Sequence, residues 1–284
     1  MVSGCKQCKR NVMIEWFKSF DQRKLLIRLL AFLILFNFGW NYAQERVGVD
    51  FYNYWLASKI LADGGVRQFY DGPSYPALAL KYFRAAREEG GRRLAAAQFW
   101  SPSIGTSSTP LFYAITGLFW SGDYESDYRR LQNISLVLFF LAIVVLSRIC
   151  GYETGVVELG IAGAMTQFQP FLLDIKVCNV NRIIFAWLVF YLVVSRGARE
   201  SPMRQVLGAS LLVGAFLFKP ILVFVVLLIA WTRIVRCRWK QLGFEVLGAA
   251  VAVIIAIIAA ILKFGSAFVW VEWLEMGGYV FNNT

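Results

Sequence analysis

The sequence predicts an all-α polytopic membrane protein with about seven transmembrane helices. Hydrophobic residues make up 58% of its 284 residues and charged residues only 17%, whereas soluble domains have roughly 45–50% and about 25%. A chain of this composition has too little polar surface to coat a soluble fold. The net charge of +11 is explained by cationic cytoplasmic loops, which orient polytopic proteins, so we expect no nucleic-acid partner.

The first predicted span is the apolar run Leu25–Ala43. It is long for a signal-peptide core and no A-x-A cleavage pattern follows it. Seven cations precede or begin it: Lys6, Lys9, Arg10, Lys18, Arg23, Lys24 and Arg28. Because positive charge is retained in the cytoplasm, residues 1–24 are predicted to form a basic cytoplasmic tail and residues 25–284 a transmembrane domain in the cell inner or plasma membrane.

Seven further apolar runs complete the predicted topology. They are Pro110–Trp120, Leu131–Ser147, Val156–Leu173, Val180–Ser195, Val206–Phe218, Ile221–Thr232 and Leu242–Leu262. The loops Arg196–Arg204 and Arg233–Lys240 are short and basic, which places both in the cytoplasm. Val206–Thr232 must therefore leave the cytoplasmic side and return to it as two short arms. Because the arms are short, the outer turn at Lys219–Pro220 is expected to lie below the membrane surface.

Counting the spans backwards from these cytoplasmic loops makes all of Gln44–Arg130 one long external loop. Ser74–Phe99 in this loop is predicted to be helical, because apolar side chains recur on one face and charged side chains on the other. The eleven residues Pro110–Trp120 are too few to cross a bilayer, so we expect a re-entrant or interfacial helix there.

Asp50 follows the first helix in the sequence Val49-Asp50-Phe51-Tyr52-Asn53-Tyr54-Trp55. If Asp50 opens a helix, Asn53 and Tyr54 lie on its face at i+3 and i+4. A carboxylate there could act as a general base. The alternative is that Asp50 caps the helix N-terminus, for which Asp is a preferred residue.

Lys219 interrupts an otherwise apolar 27-residue stretch, Val206–Thr232. An ionisable residue at such depth usually faces a cavity or a partner, although a lysine that snorkels to the interface is the alternative. Asn179, Asn181 and Arg182 occupy the neighbouring external turn. The predicted membrane topology places these residues, Lys219 and Asp50 at one face of the membrane.

Several kinds of chemistry are excluded or unsupported. The chain has no histidine, which excludes Ser-His-Asp and Cys-His triads and imidazole-dependent zinc sites. No Walker loop or Gly-rich dinucleotide loop is present. Cys5-x-x-Cys8 lies in the basic tail without a second pair. We therefore expect no metal and no cofactor.

Several short motifs resemble those of GT-C-type glycosyltransferases that use polyprenyl-phosphate sugars. The closest match is the family 87 polyprenol-phosphate-mannose-dependent α-mannosyltransferases. The motifs are Asp50-Phe51, Tyr54-Trp55, Ala57, Leu61, Gly64-Gly65 and Phe69-Tyr70-Asp71, then Pro110-Leu111-Phe112, Cys178-Asn179-Val180-Asn181, and Leu207-Gly208 through Phe218-Lys219-Pro220 with Arg236–Trp239. The resemblance spans roughly residues 25–284.

The resemblance implies an inverting transfer of a sugar, with mannose as the expected sugar, from a lipid phosphate to a lipid or glycan acceptor at the outer face. Asp50 would be the base, Lys219 with Arg46 and Arg182 would bind the donor phosphate, and Tyr54, Trp55, Asn179 and Asn181 would line the substrate pocket. The apolar spans would hold the prenyl chain among membrane lipids.

Two departures from the family pattern leave alternatives open. Cys178 and Asn179 stand where the family has Gly and Gln. Family members also continue through further spans after a loop like Trp273–Thr284, which implies a fragment or a missing acceptor half of the pocket. The alternative functions are a transporter or lipid flippase, with Lys219 and Asp50 as substrate-path charges, and a non-catalytic subunit of a membrane glycosylation complex.

Overall fold

The computed structural model describes residues 21–64, 70–71, 74–99, 108–196 and 201–283, and only the backbone of 75–76 and 277–283. Most of the predicted basic tail, the loop 100–107 and Arg199 lie outside the described residues. The described residues form thirteen α-helices and one short 3-10 turn, Pro220–Leu222, with no strand among them.

The helices are α1 (Gln22–Gln44), α2 (Val49–Ala62), α3 (Tyr75–Glu89), α4 (Gly91–Ala97), α5 (Pro110–Thr116), α6 (Tyr124–Ile149), α7 (Val156–Met165), α8 (Gln169–Val177), α9 (Asn181–Arg196), α10 (Pro202–Phe218), α11 (Val223–Val235), α12 (Trp239–Phe264) and α13 (Val269–Asn283).

Three helices, α1, α6 and α12, are long and apolar enough to cross a membrane. The pair α7–α8 passes the same test as one unit but bends by 66°, which brings the candidate spans among the described residues to as many as four. The arms on either side of Lys219 are shorter apolar helices, as the sequence predicted. The chain is therefore a helical membrane protein, and a total of seven spans stays a prediction.

The predicted single span Val156–Leu173 is divided into α7 and α8. Phe168 adopts an extended backbone (φ −79°, ψ 102°), and Pro170 lies in the first turn of α8. Proline has no N–H to donate to the preceding turn and is tolerated only at a helix start. The apolar run is therefore continuous in composition but broken in its backbone.

The predicted helix Ser74–Phe99 is likewise divided, into α3 and α4. Gly90 lies between them with φ 74° and ψ −153°, a combination that is essentially restricted to glycine. The amphipathic pattern predicted for Ser74–Phe99 is confirmed in α3, because Tyr82 and Ala86 are buried whereas Lys81 and Arg87 are exposed.

Helices α10 and α12 pack against each other through small residues. A Cβ added at Gly248 would lie 2.3 Å from the Val206 carbonyl oxygen and 2.7 Å from the Ala209 Cβ. The Ser210 hydroxyl donates to the Gly248 carbonyl over 2.8 Å. Close approach at small residues is how apolar helices associate where no water drives them together. The pair holds the Lys219 end of α10 in place.

An aromatic core surrounds α2 where it meets the start of α6. Its members are fully buried: Phe51, Tyr52, Trp55, Tyr124 and Tyr128. Their rings meet in tilted and edge-on pairs with centroids 5.2–5.6 Å apart in three of the contacts, a favourable aromatic geometry. This core anchors α2 and thereby sets the direction of its polar face.

Candidate functional site

The start of α2 places Asp50 at the bundle edge. Gly48 precedes the helix in the left-handed conformation (φ 71°) and provides no side-chain cap. The hydroxyls of Tyr124 and Tyr128 donate to the carbonyls of Val47 (2.8 Å) and Ala43 (2.9 Å), which fixes the elbow between α1 and α2. Asp50 is the second residue of α2, so the capping alternative is wrong.

The turn between α8 and α9 is built on a second left-handed residue. Cys178 is fully buried and has φ 54° and ψ 55°, a conformation that costs a non-glycine residue roughly 1–2 kcal/mol. A Cβ added at Gly48 would lie 3.4 Å from the Cys178 Cβ. The two left-handed turns therefore pack against each other, and this contact brings Asp50 close to Asn179.

Lys219 reaches the same place from the end of α10. Pro220 follows it, and Lys219 is extended (φ −138°, ψ 100°), as expected for a residue before proline. The Thr109 hydroxyl donates to the Leu217 carbonyl, and the Phe218 ring packs against Phe112 with centroids 4.8 Å apart. These contacts tie the turn to α5 and fix the origin of the lysine side chain.

Four predicted site residues form one hydrogen-bonded group, here called the Asp50 cluster: Asp50, Asn179, Asn181 and Lys219. Asn179 Nδ2 donates to Asp50 Oδ2 over 2.6 Å. Lys219 Nζ donates to Asn179 Oδ1 over 3.1 Å and also to Asn181 Oδ1. The Asn179 amide therefore lies between a carboxylate and an ammonium, and the lysine does not snorkel away.

The surroundings of Asp50 favour its protonated form. Burial raises the pKa of this carboxyl above its usual value, while the hydrogen bond from Asn179 and the positive charge of Lys219 lower it. The negative charge of Asp174 raises the pKa slightly further. A carboxylate with a raised pKa binds a proton more readily, which is the property that a general base requires.

Arg182 lies beneath this group in a second set of contacts, here called the Arg182 network: Arg182, Asp174, Gln132 and Tyr128. The guanidinium is 2% exposed. Its Nε donates to Asp174 Oδ2 over 2.7 Å and its Nη2 donates to Gln132 Oε1 over 2.7 Å. Gln132 Nε2 donates in turn to the Ile175 carbonyl and to the Tyr128 hydroxyl. The network clamps α6 to both sides of the α8–α9 turn.

The remaining predicted residues, Arg46, Tyr54 and Trp55, form no hydrogen bond with the Asp50 cluster in the part of the chain that the structure describes. The Arg46 guanidinium stacks on the Tyr42 ring, 4.4 Å from its centroid. Tyr54 packs against Phe112 with ring centroids 4.7 Å apart. Trp55 is 1% exposed in the aromatic core and contacts the Arg93 guanidinium. The structure thus joins Asp50, Lys219 and the two asparagines by hydrogen bonds, whereas Trp55 belongs to the aromatic core and Arg46 contacts Tyr42.

Sequence reasoning missed the residues that position the site. Gln132 gave a signal, as an uncharged polar residue at the start of the apolar run of α6, but nothing in the sequence indicates its partner. Gly48 gave the signal of a glycine just before a helix. Among the described residues, no three His, Cys, Asp or Glu side chains come close enough to hold a metal ion.

No family model matches this chain, and no curated protein or solved structure is detectably similar to it. The chemistry must therefore be inferred from the site itself. The Asp50 cluster offers a proton acceptor and a cation, held two hydrogen bonds apart by one amide. It can accept a proton from a hydroxyl group while it stabilises a nearby anion.

Proposed function

We propose that the protein is an inverting glycosyltransferase of GT-C type that transfers a sugar, with mannose the first candidate, from a polyprenyl phosphate to a lipid or glycan hydroxyl. The observation that carries the proposal is the bridge through Asn179 between the Asp50 carboxylate and the Lys219 ammonium. Both groups stand at the ends of apolar helices, where a lipid-linked substrate can approach them.

Asp50 is the base in this proposal. Its carboxylate takes the proton of the acceptor hydroxyl as that oxygen forms a bond to the anomeric carbon. The bond from the anomeric carbon to the phosphate oxygen breaks, and its electron pair leaves with the lipid phosphate. Attack from the face opposite the leaving group inverts the anomeric configuration. The raised pKa of Asp50 supports the assignment.

Lys219 stabilises the departing phosphate, on which negative charge grows. Asn179 and Asn181 hold the ammonium in place in the absence of substrate. Arg46, at the α1–α2 elbow, is the second candidate for a donor contact. The occupied Nε and Nη2 of Arg182 favour a role in positioning the turn over direct contact with the donor.

The proposed orientation puts the Asp50 cluster on the outer face and the N-terminus in the cytoplasm. The test uses single cysteines in a cysteine-free background and an impermeant thiol reagent added to intact cells. A cysteine at Ser74 should react and one at Ser201 should not. Labelling at Ser201 with no labelling at Ser74 would reverse the orientation.

The activity is tested with purified protein in nanodiscs, a radiolabelled polyprenyl-phosphate mannose and a membrane extract as acceptor. Asp50→Asn keeps the size and the hydrogen-bonding partner but removes the basicity, so transfer should fall by roughly 10²–10⁴-fold. Glu88→Gln is the matched control, because Glu88 is exposed on α3. Normal transfer by Asp50→Asn, or no transfer by the parent protein with any polyprenyl-phosphate sugar, would overturn the proposal.

A further inference from the structure

A cavity of about 560 Å³ lies between α9, α10, α11 and α12, at the end of α10 opposite Lys219. We call it the arginine cavity. One part of its wall is aliphatic and includes Leu212, Val226 and Ile229, and another part is polar. A cavity with one apolar and one cationic wall fits an amphiphilic anion.

The polar wall is strongly cationic. Arg196, Arg204, Arg233 and Arg238 line it, and Glu245 is the one acid among its described lining residues. Glu245 Oε1 accepts a hydrogen bond from Arg233 Nε over 2.9 Å, which neutralises that arginine. Three guanidinium groups thus face the cavity without a lining acid to balance them, so an anion placed among them reduces their mutual repulsion.

Arg196 connects this cavity to a second apolar space. A groove of about 680 Å³ between α6 and α9 is lined by aliphatic and aromatic side chains and ends at Arg148 and Arg196. Arg196 Nη1 donates to the Ile149 carbonyl over 2.6 Å, and its other guanidinium nitrogens have no hydrogen-bond partner among the described residues. Both apolar spaces therefore end at the same guanidinium.

A neutral acceptor in the arginine cavity points to the same kind of ligand. Gln241 Oε1 is buried and has no hydrogen-bond partner among the described residues. A buried polar atom without a partner is costly unless something binds it. The hydroxyl groups of a glycerol headgroup are suitable donors.

We propose that the arginine cavity binds an anionic phospholipid, with its phosphate among Arg196, Arg204 and Arg238 and an acyl chain along the aliphatic wall. Arginine suits this role because its fork of donors matches phosphate oxygens. The basic loops place the cavity on the predicted cytoplasmic side, where the leaflet is rich in anionic lipid. The proposal is independent of the glycosyl-transfer chemistry at the Asp50 cluster.

The test measures equilibrium binding of radiolabelled phosphatidylglycerol to the purified full chain in detergent, with phosphatidylcholine of the same acyl chains as comparison. The measurement is made at about 1 M NaCl, where the Debye length is about 3 Å and charges that do not contact the lipid directly are screened. Arg204→Gln/Arg238→Gln should weaken phosphatidylglycerol binding about tenfold or more. Arg236→Gln/Lys240→Gln removes the same charge from positions outside the cavity lining and should change binding less than about twofold.

Two further variants keep the result interpretable. Arg204→Lys/Arg238→Lys retains the charges but not the fork of donors, so its affinity should fall between those of the parent protein and the Gln double variant. Ala230→Phe fills the cavity and should abolish binding with every charge in place. Equal loss in the two Gln double variants, equal binding of both lipids, or displacement of the lipid by millimolar inorganic phosphate would overturn the proposal. The last result would identify a site for free phosphate.

Discussion

The Asp50 cluster and the Arg182 network share one turn but use their charges differently. In the network, Arg182 and Asp174 are 2% and 7% exposed and contact each other directly over 2.7 Å. In the cluster, Asp50 and Lys219 are half-buried and are separated by the Asn179 amide. A buried pair in direct contact holds the fold, although Asp174 Oδ1 and Arg182 Nη1 have no hydrogen-bond partner among the described residues. Charges kept apart by an amide retain capacity for a substrate.

The largest effect is expected when one charge of the buried network is removed. Arg182→Met should lower the free energy of unfolding by about 3–5 kcal/mol, because it leaves Asp174 buried without its partner. The measurement is unfolding in mixed micelles by SDS titration. Asp174→Leu/Arg182→Met is the control and should recover most of the loss. Stability near that of the parent protein in Arg182→Met would contradict a structural role for the network.

The same kind of change in the cluster should affect function instead of stability. Lys219→Met should change the free energy of unfolding by less than about 1 kcal/mol, since the lysine is partly solvated. Its single-turnover transfer rate should fall by about 10²–10³-fold, as for loss of a donor to a developing oxyanion. Lys219→Arg keeps the cation and should be milder. Equal donor affinity and rate in Lys219→Met and the parent protein would remove Lys219 from the donor site.

Gly48 joins the two regions, because it packs against both Tyr128 and Cys178. A Cβ at this position would lie 2.5 Å from Tyr128 Cε2, and φ is 71°. Gly48→Ala should therefore cost about 2–4 kcal/mol from backbone strain and overpacking together. Gly64→Ala is a matched control with φ 83° and no atom within 4 Å of its added Cβ, so it measures the backbone part alone. Equal losses in the two variants would mean that the packing against Tyr128 contributes nothing.

The smallest effect is a shift in pH dependence at the cluster. Burial raises the pKa of Asp50, and the hydrogen bond from Asn179 opposes that rise. Asn179→Leu should therefore move the acid limb of the transfer rate to higher pH. Asn181→Leu removes a partner of Lys219 but no direct partner of Asp50, so it should move the acid limb less. An unchanged acid limb in Asn179→Leu would show that Asp50 does not set the profile.

The ionisation of Asp50 should also affect the stability of the protein. Whereas the transfer rate should increase as Asp50 loses its proton, the free energy of unfolding should decrease. Its folded-state pKa lies above the unfolded value near 3.8, so the folded state binds the proton more tightly. This contribution to stability is present below the unfolded pKa and is lost as the pH rises through the folded pKa. Asp50→Asn should flatten that part of the stability profile, measured by the same SDS titration at a series of pH values.

Some features of the site could be predicted from local sequence alone. A lysine followed by proline within an apolar stretch predicts a turn that carries a cation, and α10 does end at Lys219. The break at Pro170 had the same proline signal, but the continuous apolar run around it dominated the interpretation. The break at Gly90 was hidden in the same way by a clear amphipathic pattern.

Other features depend on contacts between residues far apart in the chain. The hydrogen bond from Asn179 to Asp50 spans 129 positions, and the bond from Lys219 to Asn179 spans 40. A turn was predicted around Asn179, but the left-handed backbone of Cys178 is at a position where local preference favours glycine, so a cysteine there did not indicate how sharp the turn is. The burial of Arg182 follows from that turn, which brings its side chain back toward Asp174 and Gln132.

Composition and hydrophobic runs by themselves determined that the protein is a helical membrane protein. An apolar segment in lipid must pair its own backbone polar groups, and the helix is one of the few structures that allows this. They also determined which polar residues lie in apolar stretches, where a polar side chain without a partner has a high free-energy cost. Only the tertiary structure decided which partner each one has. That choice depends on helix crossings and on the two left-handed turns at Gly48 and Cys178, which set separations of a few ångströms between residues that the sequence holds far apart.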